Sequence, residues 1–163
     1  TAERNGWAKF ISMQNHLNLI YREEEREMIP YCVDSGVAVT PWTPLARGIL
    51  AGAYQGGFDK GSTARSSGQD RKRTESLYHG ENIFKIADRV LEVAKKYGTK
   101  PAQIAVAWLF TVEGVTCPVV GVSKESQLTD LVEATNIELA ADDKAYLEEL
   151  YQPVDNLLSI GTS

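Results

Sequence analysis

Six residues offer the chemistry that can be read from this sequence. Gln14 carries an amide able to pair with another amide, and Trp42 offers a flat face on which a ring can stack. Gly121 permits close backbone approach. Ser123 stands where a helix is expected to begin, and the N–H groups of a helix N-terminus favour phosphate. Arg47 and Lys124 add positive charge. Together these types describe an aromatic ligand bearing an amide and phosphate. Each also has a plainer reading: a strand-end amide satisfied by backbone, a packed indole, a helix cap, two solvated cations. Spacing alone leaves both readings open.

Those residues have to be positioned by regular elements. Phe10 to Gln14 is short and mostly apolar, as a buried strand would be. A charged helical stretch runs from about Arg22 to Ser35 and stops at Gly36, with Glu23, Glu24 and Glu25 suited to the positive end of a helix dipole. Pro30 predicts either a kink or a short turn followed by a helix starting near Glu27. Val37 to Thr40 reads as a second buried strand, leading into 41–48, where two prolines forbid regular ladder pairing. Residues 52–73 form a long polar stretch with five basic residues against two acidic ones. It is no phosphate loop, having neither GxxxxGKS/T nor a strand-turn-helix GxGxxG. An apolar stripe of Ile83, Ile86, Ala87, Val90, Leu91, Ala94 and Tyr97 predicts a helix stopped by Gly98. Pro101 opens another, carrying Ile104, Ala107, Trp108 and Leu109 and reaching roughly Val112. Pro118 to Val122 reads as a third strand, and Ser123 as the cap of a helix with Leu128, Leu131, Val132 and Thr135 inward. A last helix spans about Asp142 to Leu150, followed by an irregular tail from Tyr151. Three buried strands, each followed by helix, predict a parallel α/β protein whose ligands collect at the strands' C-terminal ends. Three strands cannot close a barrel and leave two open edges, so the chain reads as part of something larger.

Composition narrows the class. The chain has 163 residues, 43% hydrophobic and 24% charged, with a net charge of -5. That balance argues against a sequence-independent nucleic-acid binder. No apolar run reaches the roughly 20 residues that span a bilayer, and the front does not read as a signal peptide. Cys32 and Cys117 form no CxxC motif, and His16 and His79 are too few for a His-rich metal site. A cytoplasmic, metal-free protein is the expectation.

Four segments, in order, carry a family resemblance. Residues 10–19 (FISMQNHLNL) with 22–27 (REEERE) resemble the sixth strand and following helix of the aldo-keto reductases. Residues 41–48 (PWTPLARG) are similar to the family's seventh-strand motif, an aromatic residue, Ser-Pro-Leu and a Gly-rich turn. Residues 101–109 (PAQIAVAWL) resemble its seventh helix, and 118–124 (PVVGVSK) with Gln127 and Leu128 its last strand and adenosine-binding helix. The resemblance covers nearly the whole chain. It implies a partial (β/α)₈ barrel over residues 1–163, roughly the last three βα units plus a C-terminal helix. It also implies NADPH as cofactor and a small-molecule carbonyl substrate.

Site roles follow from the resemblance residue by residue. Gln14 would bond the nicotinamide carboxamide and Trp42 would stack on the nicotinamide. Thr43, Pro44, Leu45, Ala46 and Arg47 would wrap the pyrophosphate, largely through backbone. Gly121, Ser123, Lys124 and Gln127 would hold the adenosine ribose and its 2′-phosphate, and Asp130 the adenine amino group. Asp130 replaces a common Glu, and Leu131 a usual Asn, which removes one adenine hydrogen bond. The family's catalytic Tyr, with its Lys, Asp and His, belongs to the first four strands, and the Ser-Asn pair that helps clamp the carboxamide belongs to the fifth. Neither region matches any part of this chain. Tyr21, Tyr31 and Tyr54 have no neighbour in the sequence that would lower a phenol's pKa, so no catalytic residue is assigned. Two readings result: a fragment of a reductase, or a non-enzymatic half-barrel that binds nucleotide, with its edges covered by self-association or by a separate half. The basic stretch 52–73, with Tyr54 and Phe58, would suit a phosphate lid.

Overall fold

The computed structural model describes residues 1–61, 63, 66 and 68–154. Its elements are α1 (Ala2–Asn5), β1 (Ser12–Met13), α2 (Met28–Ser35), β2 (Ala38–Val39), α3 (Gly68–Leu77), α4 (Ile83–Tyr97), α5 (Pro101–Leu109), α6 (Glu125–Glu133) and α7 (Ala141–Glu148). The architecture is α/β with a parallel sheet, β1 pairing with β2 in the register Ser12–Ala38 and Met13–Val39.

The ladder extends beyond the two short strands. On one side of β2, Ala38 N, Thr40 N and Trp42 N donate to Ile11 O, Met13 O and Asn15 O at 3.0, 2.8 and 2.9 Å. On the other, Val39 N donates to Gly114 O, Thr116 N to Val39 O and Val119 N to Pro41 O. Among the described residues only β2 is therefore flanked on both sides. The expected buried first strand is instead an edge, with Phe10 91% and Ile11 82% exposed. The expected third strand, Pro118 to Val122, is reduced to a single parallel bridge at Val119, with another before it at Val115. Pro118 has no N–H to give a ladder, and Val119 and Val122 stay exposed where no further strand covers them.

Pro30 resolves as the second alternative predicted. A single 3₁₀ turn, Glu23–Glu25, precedes α2, and Pro30 falls in that helix's first turn, where its missing N–H has no intrahelical partner to lose. Gly98 ends α4 in the left-handed region (φ 64°), and the N–H groups of Gly98 and Thr99 close on Lys95 O and Ala94 O. Helix α5 stops at Leu109, three residues short of the expected end, and is buried from Gln103 to Leu109. Its Trp108 is fully buried, donates from Nε1 to Glu148 of α7 at 2.8 Å, and lies under the Arg22 guanidinium. The core gathers Leu17, Leu19, Val39, Val90, Ile104 and Leu147 around it; Val106, Leu131 and Ala134 form a smaller cluster.

Two surface segments differ from a simple reading of their composition. The polar stretch 52–73 carries regular structure, with a 3₁₀ turn at Phe58–Lys60 and α3 beginning at Gly68. Residues 62, 64, 65 and 67 of that stretch lie outside the described residues. Tyr54 is buried and Phe58 packs edge-on to it and to Phe84, so both rings serve the core. On α6 only Leu131 of the expected inward face is buried; Leu128, Val132 and Thr135 are exposed. Cys32 and Cys117 are free thiols, the first buried and the second exposed.

Gly114 tests the packing at the sheet's far side. It sits at φ +84°, and a Cβ there would meet Val33 Cγ2 at 2.7 Å. Gly114→Ala should lower the unfolding free energy by about 2–4 kcal/mol, combining backbone strain with overpacking. Gly98→Ala, equally left-handed but in open space, should cost only about 1–2 kcal/mol. Urea unfolding of both variants checks the difference.

Candidate functional site

Parallel pairing gives segments 11–16, 38–42 and 114–119 one direction, so the residues that follow them emerge at one end. That end holds Gln14, the turn from Trp42 to Gly48, and the stretch Gly121 to Lys124. Gln14 and Gly121 to Lys124 are exposed, and Trp42 is half-buried. Trp42 is bridged to His16 on one side and to Val119 on the other.

The turn after Trp42 has an unusual backbone. Thr43 (φ 52°), Ala46 (φ 46°) and Arg47 (φ 56°) are all left-handed without being glycine, and Gly48 follows at φ 102°. Each such residue costs about 1–2 kcal/mol, so the surroundings must hold the turn in place. Asn18 Nδ2 donates to Thr43 O at 3.0 Å, while Asn18 Oδ1 accepts from Ile20 N. Pro44 and Ala46 are buried, and Leu45 is half-buried between the two core clusters. Arg47 reaches to α3, donating from Nη2 to Asp70 at 2.6 Å and from Nε to Thr74 Oγ1 at 3.1 Å. The Arg47 guanidinium is thus committed to α3, and what its turn presents to a ligand is backbone.

Beneath Trp42 lies a pile of rings that the sequence reading missed. The His16 imidazole stacks on Trp42 at 4.3 Å and on Tyr21 at 4.1 Å, with Tyr78 edge-on at 5.7 Å. Asn18 Nδ2 donates to the Tyr78 hydroxyl at 3.1 Å, and that hydroxyl is hydrogen-bonded to His16 Nε2 at 2.8 Å. Burial lowers the His16 pKa to about 4 and pushes the Tyr78 hydroxyl up. Burial, then the charges of Glu24 and Glu23, likewise raise Tyr21. Neither phenol is tuned to give up a proton at neutral pH. One signal was available in the sequence: Gln14, His16 and Asn18 alternate, as residues sharing one face of an extended segment do.

The other half of the candidate site satisfies itself. Lys124, not Ser123, is the N-cap of α6. The Gln127 side-chain carbonyl accepts from Ser123 N, Ser123 Oγ and Lys124 N at 2.9, 3.2 and 3.2 Å, and so occupies donors that an anion would use. Asp130 grips Lys100 Nζ through both carboxylate oxygens at 2.6 and 2.7 Å. Leu131 packs on Val106 and Ala134. Lys124 is exposed and makes no ion pair among the described residues.

A cavity of about 550 Å³ lies elsewhere, lined by Arg22, Ile29, Val33, Val112, Lys144 and Glu148 among others. It opens where the strands begin, opposite the candidate site. Its charges pair with one another, Arg22 with Glu25 and Glu148, and Lys144 with Glu148, which marks it as a structural seam. No cluster of three or more His, Cys, Asp or Glu among the described residues could hold a metal ion. No described helix is long and apolar enough to cross a membrane.

Comparison with known proteins finds the family described as Aldo/keto reductase family matching residues 1–152. A Schizosaccharomyces pombe protein, provisionally named an aryl-alcohol dehydrogenase, is 46% identical over 94% of this chain and 42% of its own length. The versiconal hemiacetal acetate reductase of Aspergillus parasiticus is 44% identical over 93% of this chain and 43% of its own. An aldo-keto reductase of Fusarium vanettenii is also 44% identical, over 93% and 40%. The chain spans less than half the length of each of these relatives.

The buried imidazole predicts an acid-sensitive fold. Unfolded, His16 binds a proton below about pH 6.5; folded, it does so only below about 4. Stability should therefore be undiminished above pH 6.5 and fall by up to about 3 kcal/mol as pH drops to 4. His16→Phe should flatten the decline between pH 6.5 and 5, above the range where carboxylates titrate. Urea midpoints at pH 7, 6 and 5 for both proteins measure it, and parallel declines would refute the assignment.

Proposed function

The chain belongs to the aldo/keto reductase family, and we propose that it supplies the cofactor-binding part of an NADPH-dependent reductase of aldehydes and ketones. The observation that carries this reading is the half-buried Trp42 at the strands' C-terminal end, followed directly by a left-handed turn. A flat ring can cover the indole while the turn's backbone meets phosphate oxygens. The names of its relatives, one a reductase of a hemiacetal acetate and one an aldo-keto reductase, point the same way. The residues present fit the group better at the nicotinamide end than at the adenosine end.

In this reading Gln14 bonds the carboxamide and Trp42 receives one face of the nicotinamide. Thr43 to Arg47 hold the pyrophosphate through main-chain groups. Gly121 lets the ribose lie close to backbone, and Ser123 and Lys124 bind the 2′-phosphate once Gln127 turns its amide toward the ligand. Asp130 reaches the adenine amino group only by loosening its grip on Lys100. When bound, NADPH supplies the hydride that reduces the carbonyl carbon. The proton comes from a Tyr outside these residues, so the chain on its own binds cofactor without turning over. Residues 1–163 act as the C-terminal portion of a cytoplasmic (β/α)₈ barrel, its last three βα units and a closing helix.

A second reading, a non-enzymatic half-barrel, is favoured by one observation. Trp7, Phe10 and Ile11 in the segment before β1, Val119 and Val122 in the segment bridged to Trp42, and Val132 on α6 are exposed. Surfaces of that kind call for the rest of a barrel or a second copy.

The purified 163-residue protein should bind NADPH more tightly than NADH, read as quenching of tryptophan fluorescence. Lys124→Ala should cut that preference by roughly tenfold, about the contribution of one cation to a phosphate. Supplied with NADPH and an aromatic aldehyde, the protein should not consume cofactor. Equal affinity for the two nucleotides would sink the cofactor assignment, and steady NADPH oxidation would sink the missing-Tyr assignment.

A further inference from the structure

We propose that His16 is a positioning residue for the ligand's flat ring, acting through Trp42; this rests on the nucleotide-binding reading above. Two rings stacked on His16 at 4.1 and 4.3 Å cannot share one face of so small a ring, so the imidazole lies between Tyr21 and Trp42. The pile ends on one side at Tyr21, which is 4% exposed, and on the other at the half-buried Trp42. A nicotinamide laid on the indole becomes its fourth ring.

The imidazole cannot turn freely in that position. Its Nε2 is held at 2.8 Å by the Tyr78 hydroxyl, and that hydroxyl is held by Asn18. Asn18 also fixes Thr43 O, the first carbonyl of the left-handed turn. One amide thus sets the support beneath the indole and the start of the phosphate-facing backbone together. Burial also keeps His16 neutral near pH 7. A neutral ring leaves the indole's electron density available to the nicotinamide, which is cationic in the oxidised cofactor.

The test uses two ligands, NADP⁺ and adenosine 2′,5′-bisphosphate, which shares the adenosine end and lacks the nicotinamide. Both are titrated by calorimetry against the unsubstituted chain, His16→Ala, His16→Phe and Tyr78→Phe. His16→Ala should weaken NADP⁺ by about tenfold, the size of one well-placed aromatic contact, and leave the bisphosphate unchanged within about twofold. His16→Phe restores a flat ring and should recover most of the loss. Tyr78→Phe removes a single oxygen, so it keeps the test available if His16→Ala fails to fold; it should weaken NADP⁺ alone, by roughly threefold. Equal losses for both ligands, or no loss for either, overturn the role of His16 while leaving the nucleotide reading intact. An unsubstituted chain that binds neither ligand overturns that reading and this role together.

Discussion

Everything at the candidate site depends on β2 being paired in parallel on both sides. Val39 both donates to Gly114 O and accepts from Thr116 N, while the residues beside it, Ala38 and Thr40, donate to Ile11 O and Met13 O. A strand so engaged fixes its neighbours' direction as well as their spacing. Segments far apart in sequence, 11–16 and 114–119, are therefore obliged to end at the same place. Full burial of Val39 keeps water from competing for these bonds.

What that alignment holds in place is a backbone that would not persist alone. Three non-glycine residues in the left-handed region within five positions represent several kcal/mol of unfavourable conformation by general experience. The offsets are local and identifiable: Asn18 on Thr43, Arg47 on Asp70 and Thr74, and burial of Pro44 and Ala46. Strain so thoroughly supported is a sign of preorganisation, because a relaxed turn would be cheaper unless its main-chain groups were needed in one arrangement. The ring pile under Trp42 follows the same logic, with the indole seated on His16 before any ligand arrives.

Elements governed by short-range rules were legible in the sequence. The stripe in 83–97 and its Gly98 stop, Pro101 at a helix start and the α2 boundary all rest on periodicity and capping, which act within a few residues. The parallel α/β class and the shared strand end were legible too. Outcomes decided by long-range partners were not. Phe10 and Ile11 read as core because apolar strands usually are, yet no neighbour covers them here. Helix α3 (mean composition polar, GQDRKRTESL) has almost no amphipathic signal and is held by ties such as Arg47 to Asp70 and Thr74. Lys124 displaced Ser123 as the cap because Gln127 reaches back over both N–H groups. His16 and Tyr78 escaped notice because their partnership spans 62 positions.

The two ends of the candidate site differ in how much they must change to bind. At the Trp42 end the groups a ligand would meet are a half-buried indole and backbone already held in shape. At the α6 end the same kinds of group are engaged internally, Gln127 with the N–H groups of Ser123 and Lys124 just before the helix and Asp130 with Lys100. Binding there exchanges intramolecular bonds for ligand bonds, which yields little net free energy unless the ligand brings more charge than it displaces. On the NADPH reading proposed above, a 2′-phosphate would do so, offering three acceptor oxygens to Ser123 and Lys124, whereas a bare ribose hydroxyl would not. On that reading, self-satisfaction at α6 would itself be a source of selectivity, since it raises the threshold that an unphosphorylated nucleotide would have to cross.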